Sequence, residues 1–198
     1  MRSPGLDSME TNFKVRSLDT KISLEDYNKL SKNPLYFILD NLRSAFNVGS
    51  IFRLSDILRV KGLFLCGSTA FPPHLKLAKT SMGTMDYVPW KRFERTIDAV
   101  EYLHKGSTPV WAAETMPGAH KFTKAEYPKE VGIVFGNEAL GVSEEVLKAC
   151  DAVIEIPVYG FKNSMNVAAA CAVIGYWFVE KENCGAQIKN PVLRRRRK

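Results

Sequence analysis

The sequence predicts an α/β fold with a parallel sheet that is covered by helices on both faces. Short, continuously apolar segments such as "LYFIL", "GLFLC" and "VGIVF" recur along the chain, and helical stretches separate them. Strands of this kind are buried on both faces, which is typical of a parallel sheet. The 198 residues, 45% of them apolar, are enough for one sizeable core. We therefore expect one folded domain.

The first half of this domain is predicted to alternate strands and helices from Pro34 onward. "LYFIL" is a short apolar run and predicts a strand, and residues 48–59 predict the helix that follows it. "GLFLC" predicts the next strand. Residues 74–84 then form a polar crossover, "YVPW" predicts an extended segment, and residues 93–105 predict a second helix.

The second half continues the same alternation. "PVWAA" predicts a strand and is followed by a poorly periodic stretch at residues 114–127. "VGIVF" and "AVIEI" predict two further strands, with a helix between them at residues 143–149. A long apolar helix at residues 166–181 ends the domain, so the folded part is expected to span residues 34–182.

The segments on either side of the domain differ from it in composition. Residues 1–33 are polar and predict a mobile leader, in which "SLEDYNKL" favours one short helix begun by Ser23. Residues 183–198 form a basic tail, and its "RRRRK" supplies five of the formal net charges of +7. Such a tail is typical of a solvated end, a localisation signal or an electrostatic hold on nucleic acid, and the sequence leaves all three open.

Several classes of protein are disfavoured by what the sequence lacks. The longest apolar run, residues 167–179, is shorter than the roughly 20 residues that cross a bilayer, and the N-terminus has no signal-peptide core. These features predict no membrane association and a cytoplasmic protein, with nuclear and organellar locations left open. The four cysteines lack CxxC spacing and the three histidines are scattered, so we expect buried thiols and no metal site. No GxGxxG or GxxxxGK[ST] occurs, which disfavours a dinucleotide-binding dehydrogenase and a P-loop enzyme.

The polar and glycine-rich segments all follow predicted strands. They are "DNLRSAFNVGSIFR", "ETMPG", "GNEALG" and "PVYGFKNSMN". In an open α/β sheet the ligand crevice lies beyond the carboxyl ends of the strands, so these segments are candidates for one binding site. Any one of them alone is also explained as a turn that ends a strand. Several such segments at one edge of the sheet favour a ligand-binding site over separate turns.

Three of these segments, in this order, resemble the motifs of the SpoU or TrmH-like branch of the SPOUT RNA methyltransferases. "NVGSIFR" is similar to the first motif, "FGNEALG" to the second and "IPVYGFKNSMNV" to the third. Met165 replaces the leucine that is usual in the third motif, an exchange that keeps the side-chain volume. The resemblance covers residues 35–180, and the ordered trio is much more specific than any single motif.

The resemblance implies both a topology and a cofactor. Members of this family thread the C-terminal part of the parallel sheet into a deep trefoil knot, which binds a bent S-adenosylmethionine. The adenine is expected to lie among backbone groups of the second and third motifs. The cofactor contacts carried over to this chain are Gly136, Gly141, Ile156, Gly160 and Met165, with Glu114 as a weaker one.

The resemblance also implies methyl transfer to a ribose 2′-hydroxyl of RNA. Arg53 is expected to be the catalytic arginine, whose role is either to help deprotonate the hydroxyl or to stabilise the forming alkoxide; a guanidinium of pKa above about 12 favours the second role. The alternative for Arg53 is a surface arginine paired with an acid. Asn47, Ser164 and Asn166 are expected to orient Arg53 and the ribose. Glu138 is expected either to support them as a hydrogen-bond acceptor or to stiffen its own loop.

The partners that the resemblance implies are RNA and a second copy of the chain. Compact relatives act mostly on tRNA, so the analogy favours tRNA, with rRNA as the alternative. The apolar final helix, "NVAAACAVIGYWFV", favours a homodimer. A catalytically inactive RNA-binding relative is the rival function, and such a protein would keep the fold without transferring a methyl group.

Overall fold

The computed structural model describes residues 22–182, which form six α-helices and seven strands. The helices are α1 (Leu24–Lys29), α2 (Ala45–Ile57), α3 (Leu75–Ser81), α4 (Thr96–Lys105), α5 (Glu144–Ala149) and α6 (Val167–Glu182), with a 3-10 turn at Thr84–Asp86. The strands are β1 (Asn33–Asp40), β2 (Val60–Cys66), β3 (Trp90–Phe93), β4 (Val110–Ala113), β5 (His120–Lys121), β6 (Val131–Phe135) and β7 (Ala152–Glu155).

The strands form a single sheet in the order β3-β2-β1-β6-β4-β7-β5. Each neighbouring pair in this sheet runs parallel, which confirms the predicted fold class. Because the strands are parallel, the segments that follow them all emerge at the same edge. The trefoil knot stays a prediction.

Helices cover both faces of the sheet, and the strand residues alternate between the two layers. On one face, Phe37 and Leu39 of β1 belong to a buried cluster with α2 and α6. On the other face, Ile38 of β1 packs in a second buried cluster with α4 and α5. Central strands buried in this way explain the continuous apolar runs in the sequence.

The polar crossover at residues 74–84 contains helix α3, which the sequence pattern did not predict. The His74 ring nitrogen Nδ1 accepts a hydrogen bond from the Lys76 amide at 3.2 Å and so caps the first turn. Leu77 is fully buried against the core, and a side chain at Gly49 of α2 would overlap the Thr80 hydroxyl. With Leu77 as its one buried apolar residue, the helix has no apolar periodicity to reveal it.

The edge strand and the next helix begin later than expected. The Tyr87 amide donates to the Thr84 carbonyl at 3.1 Å, which continues the 3-10 turn through the first residue of "YVPW". Strand β3 therefore starts at Trp90 and extends to Phe93, where the sequence pattern had placed the start of helix α4. The helix begins at Thr96 instead.

Helix α1 confirms the short helix predicted in the leader. The Ser23 hydroxyl accepts a hydrogen bond from the Asp26 amide at 3.1 Å, as expected for an N-cap. Tyr27 is buried and packs edge-to-face against Tyr87. The rest of the leader, the basic tail with its "RRRRK", and Cys184 lie outside the described residues.

The described cysteines are reduced, and two of them are buried. Cys66 and Cys171 are fully buried, and burial raises the pKa of the Cys66 thiol to about 12. Between residues 22 and 182, no His, Cys, Asp and Glu side chains cluster as metal ligands would. No helix in the same range has the length and apolar character to span a bilayer.

Candidate functional site

The candidate site lies beyond the carboxyl ends of β1, β4, β6 and β7. The register places Ala113 of β4 beside Phe135 of β6 and beside Ile154 of β7. Glu114 and Gly136 directly follow their strands at this level, and Ile156 follows two residues after Ile154. On the other side of β6, Leu39 of β1 pairs with Phe135, so the loop that leads to the first motif emerges at the same edge. The topology thus brings the predicted segments together.

A chain of hydrogen bonds joins all three motifs. The Glu138 carboxylate of the second motif accepts from the Asn47 side chain of the first at 3.0 Å. The Asn166 side-chain nitrogen of the third motif donates to the Asn47 side-chain oxygen at 3.2 Å. Asn166 also caps α6, because its side-chain oxygen accepts from the Ala168 and Ala169 amides. The chain runs from the second motif through the first to the start of the last helix.

Glu138 also holds the loop that leads to the first motif, through backbone amides of that loop. Its carboxylate accepts hydrogen bonds from the Arg43 amide at 2.8 Å and from the Ser44 amide at 3.1 Å. Partial burial of the carboxylate alone would raise the pKa of Glu138, but the hydrogen bonds, led by those from the Arg43 amide and the Asn47 side chain, outweigh it and lower the pKa. The carboxylate is therefore ionised at neutral pH and fixes the loop that begins α2.

Arg53 lies on α2, six residues after Asn47, and its side chain is exposed. The Arg53 side chain forms no hydrogen bond and no ion pair with any of residues 22–182. An ion pair with an acid, the structural alternative for this arginine, is therefore not found in the described part of the chain. The guanidinium remains available to a ligand.

The second motif forms a tight turn after β6. Asn137 and Gly141 exchange two backbone hydrogen bonds, of 3.0 and 2.9 Å, and Gly141 has a φ of +71°. A side chain at Gly136 would overlap the Gly141 backbone, so the turn requires glycine there. The Glu114 carboxylate accepts the Val142 amide at 2.9 Å and secures the end of the turn. Gly136 and Glu114 thus have a clear role in shaping this loop.

The third motif is open along most of its length. Residues 156–165 form no hydrogen bond with any described residue. Tyr159 and Phe161 are almost completely exposed, at 92% and 101%, and Met165 is 44% exposed. Ile156 is half-buried against the core. The remaining predicted site residues of this segment, Gly160 and Ser164, are exposed, and a side chain at Gly160 would meet no described atom within 4 Å.

Three polar residues support the site and were missed by the sequence reasoning. Asp40, at the end of β1, is 2% exposed, and its carboxylate accepts from the Thr96 hydroxyl and from the Ser143 amide at 3.1 Å. The Asn137 side chain donates to the Asn41 carbonyl at 2.7 Å, which ties the second motif to the end of β1. A polar residue directly after an apolar strand was the available signal for Asp40 and Asn41.

Comparison with known proteins decides the family of this chain. A family model described as the SpoU rRNA Methylase family matches residues 34–176. The chain belongs to this family. The match includes all three motifs and extends from the start of β1 into α6 of the SpoU domain.

Relatives of this SpoU family member are found among curated proteins and solved structures. It is 29% identical over 151 residues to a tRNA (guanosine(18)-2′-O)-methyltransferase of Thermus thermophilus, covering 76% of this chain and 77% of that protein. It is 29% identical over 146 residues to a TrmH family protein of Staphylococcus saprophyticus, covering 74% of this chain but 58% of the relative. The crystal structure of the SpoU methyltransferase AviRb from Streptomyces viridochromogenes, in complex with S-adenosylmethionine, superposes with a TM-score of 0.69 at 27% identity. That superposition covers 81% of this chain and 65% of AviRb.

Proposed function

We propose that this protein transfers the methyl group of S-adenosylmethionine to a ribose 2′-hydroxyl of RNA. The observation that carries the proposal is the hydrogen-bonded chain Glu138–Asn47–Asn166, which joins the three SpoU motifs at one sheet edge. Arg53 lies on the same helix as Asn47 and has no ion pair with any residue between 22 and 182. The Thermus thermophilus relative is named as a 2′-O-methyltransferase, which supports the reaction. The AviRb structure from Streptomyces viridochromogenes is a complex with S-adenosylmethionine, which supports the cofactor.

The residues of the second and third motifs fit S-adenosylmethionine. Residues 156–165 offer backbone amides and carbonyls without partners in the described chain, which suits the ring nitrogens and exocyclic amine of a purine. The exposed Met165 and the half-buried Ile156 offer apolar surface for its flat face. A side chain at Gly160 would meet no atom within 4 Å, so this part of the loop is open to a ligand. When bound, the cofactor supplies an electrophilic methyl group.

The roles of the polar residues follow from this arrangement. A ribose hydroxyl is a weak nucleophile until its proton is lost, so the site must stabilise negative charge on that oxygen. The Arg53 side chain is a cation without an ion pair in the part of the chain that the structure describes, and it stabilises the alkoxide character of the attacking oxygen. Asn47 and Asn166 hold each other's side chains in place, and the exposed Ser164 hydroxyl is available to orient the ribose. Glu138 keeps this pair in position without meeting the substrate.

Methyl transfer from isotopically labelled S-adenosylmethionine to total RNA tests the proposal. The 198-residue chain is expected to label RNA, and Arg53→Ala is expected to abolish labelling while calorimetry still detects cofactor binding. Arg95→Ala is the matched control, because Arg95 is an exposed arginine in an ion pair with Asp98 on α4. Cofactor and RNA binding without transfer by the wild type would support the binding-only alternative instead.

The substrate proposed for the reaction is tRNA, with rRNA as the alternative. Support comes from the Thermus thermophilus relative, whose name specifies tRNA and of which this chain covers 77%. Mapping ribose methylation in RNA from cells with and without the protein distinguishes the two. Loss of a site in rRNA alone would overturn the choice of tRNA.

A homodimer in the cytoplasm completes the proposal. Helix α6 buries Cys171, Ile174 and Phe178 against the core, yet Tyr176 on its other side is 45% exposed. Trp177 lies at the flank of the helix, where it packs on Phe122 and keeps 36% of its surface exposed. Two apolar faces on one helix favour a second copy of the chain as the partner of the outer face. Light scattering at micromolar concentration is expected to give twice the 22.2 kDa chain mass. A monomer mass would contradict the homodimer.

We also propose that the chain is divided into a leader (1–33), a domain (34–182) and a tail (183–198).

A further inference from the structure

A cavity of about 570 Å³ lies beside the first motif. Its walls are the loop after β1, the loop after β2 and Arg92 of β3. No residue of the second or third motif lines it, so it is separate from the segments assigned to the cofactor. A cavity of this volume is in the range of small-molecule binding pockets.

The lining of the cavity is positively charged. Arg43, Lys76 and Arg92 contribute cations, and no carboxylate side chain is part of the wall. In the described chain, the Arg43 and Lys76 side chains form no ion pair. Arg92 contacts the exposed Glu94 at 3.3 Å, which solvent screens. Cations that line one cavity without acids favour an anionic ligand, and phosphate is an anion that both arginine and lysine bind.

An aromatic platform accompanies these cations. The Arg92 guanidinium stacks on the Phe71 ring, 4.1 Å from its centroid, and donates to the Gly67 carbonyl at 2.9 Å. Phe71 is 38% exposed, so part of its ring is open to the cavity. An aromatic ring beside a fixed guanidinium is the surface on which unpaired bases stack in proteins that bind single-stranded RNA.

The cavity adjoins the hydrogen-bonded chain of the candidate site. Arg43 and Ser44 line the cavity, and their amides donate to the Glu138 carboxylate that also holds Asn47. The same two residues therefore belong to the wall of the cavity and to the loop that Glu138 holds beside Asn47.

We propose that this cavity holds one unpaired nucleotide of the RNA substrate, a near neighbour of the nucleotide that is methylated. Its phosphate lies against Arg43 and Lys76, and its base stacks on the platform of Phe71 and Arg92. The inference rests on the proposed function, since it assigns a subsite for the substrate of that reaction. It predicts a preference for RNA whose target region is single-stranded.

Stacking is tested by substitutions at Phe71 in the 198-residue chain. Binding of a fluorescent single-stranded 12-nucleotide oligouridylate is measured by anisotropy, with a fully paired RNA duplex of the same length for comparison. Phe71→Leu is expected to weaken single-strand binding about tenfold, since stacking on an aromatic ring contributes to each base bound. Phe71→Tyr keeps the ring and is expected to restore binding. Equal single-strand affinity of the leucine and tyrosine variants would overturn the stacking assignment.

The phosphate contact is tested at Lys76, whose side chain is exposed and has no described partner. Lys76→Ala is expected to flatten the salt dependence of oligouridylate binding by about 0.7 in log–log slope, the value for one phosphate contact to a single strand. Lys105→Ala is the matched control, because it removes the same charge from the C-terminal end of α4. Equal slopes for the two variants would contradict a phosphate in the cavity.

Two further measurements identify the ligand and separate the inference from the proposed function. Uridine 5′-monophosphate is expected to compete with the oligonucleotide better than inorganic phosphate does; equal competition would reduce the cavity to an anion site and overturn the nucleotide assignment.

In methyl transfer to total tRNA, Phe71→Leu is expected to raise the KM for RNA several-fold and to leave cofactor affinity unchanged. If wild type transfers methyl groups and the Phe71 and Lys76 variants match it, the subsite is wrong and the function stands. If wild type transfers none, the function fails, whereas the oligonucleotide titrations still decide the cavity.

Discussion

Replacing Glu138 with glutamine removes the charge that joins the second motif to the first. One carboxylate oxygen accepts the Arg43 amide, and the other accepts the Ser44 amide and the Asn47 side chain. The glutamine oxygen can keep one of these two sets, but its NH₂ group then faces a donor on the other side. Losing a hydrogen bond to a charged group costs about 1.5–3 kcal/mol, and solvent screening at this exposed side chain reduces the expected loss to about 1 kcal/mol.

The loss is measured by thermal unfolding and by turnover. For a chain of this size, about 1 kcal/mol lowers the unfolding temperature by about 2–4 °C. Turnover is expected to fall at least about tenfold, because glutamine cannot accept from the Arg43 amide and from the Asn47 side chain at the same time, so either the loop or Asn47 is held less firmly. Glu144→Gln is the matched control, since Glu144 pairs with Lys148 on the surface of α5 at 2.6 Å and such pairs contribute only about 0.3–0.5 kcal/mol.

The difference between wild type and Glu138→Gln is also expected to depend on pH. The folded-state pKa of Glu138 is lowered, because the hydrogen bonds to its carboxylate outweigh the effect of burial. A lowered pKa contributes stability that is present above the ordinary glutamate value of 4.5 and is lost as the pH falls through the folded-state pKa. The two unfolding temperatures should therefore differ at pH 7 and converge as the pH falls below 4.5 and through the lowered folded-state pKa. An unchanged unfolding temperature and turnover at pH 7, or a difference independent of pH, would refute this reasoning.

Three further predictions concern the network, the second motif and the tail. Asn47→Ala and Asn166→Ala are each expected to reduce turnover, and the double variant should lose less than the two single losses combined because the side chains bond each other; full additivity in a double-mutant cycle would contradict the contact. Gly136→Ala is expected to weaken cofactor binding at least about tenfold in calorimetry, because its methyl group displaces the turn at Gly141; normal affinity would show that the turn shape is not needed. Deleting residues 194–198 is expected to weaken RNA binding and flatten its salt dependence in filter-binding titrations, with cofactor affinity unchanged; an equal slope would leave the tail as a solvated end or a localisation signal.

The fold was largely predictable from the sequence because its strands are buried on both faces. Strands such as β1 and β6 read as continuous apolar runs, and a helix between such runs indicates a parallel sheet. Helix α3 was missed because a single buried leucine, Leu77, anchors it in a polar stretch. Its contact with α2 requires glycine at position 49, because a side chain there would overlap Thr80. Hydrophobic periodicity in the sequence does not reveal this requirement.

The candidate site was predictable as a set of segments but not as a network. The motifs named Asn47, Glu138 and Asn166, yet their bonds connect residues 91 and 119 positions apart in the chain. Which acceptor each side chain would find is decided by the three-dimensional arrangement of the loops, which local patterns do not encode. The same holds for the cavity beside the first motif, because Arg92 comes from the edge strand β3, outside all three motifs.

The most direct measurement for the proposed function is the chemical identity of the methylated product. RNA labelled by the protein with isotopic S-adenosylmethionine is digested with alkali, which cleaves beside a free 2′-hydroxyl but not beside a 2′-O-methyl group. The label is then expected in alkali-resistant dinucleotides, and in a 2′-O-methylated nucleoside after enzymatic digestion and mass spectrometry. Label on a base, released in alkali-sensitive mononucleotides, or no label in RNA at all, would contradict ribose methylation by this protein.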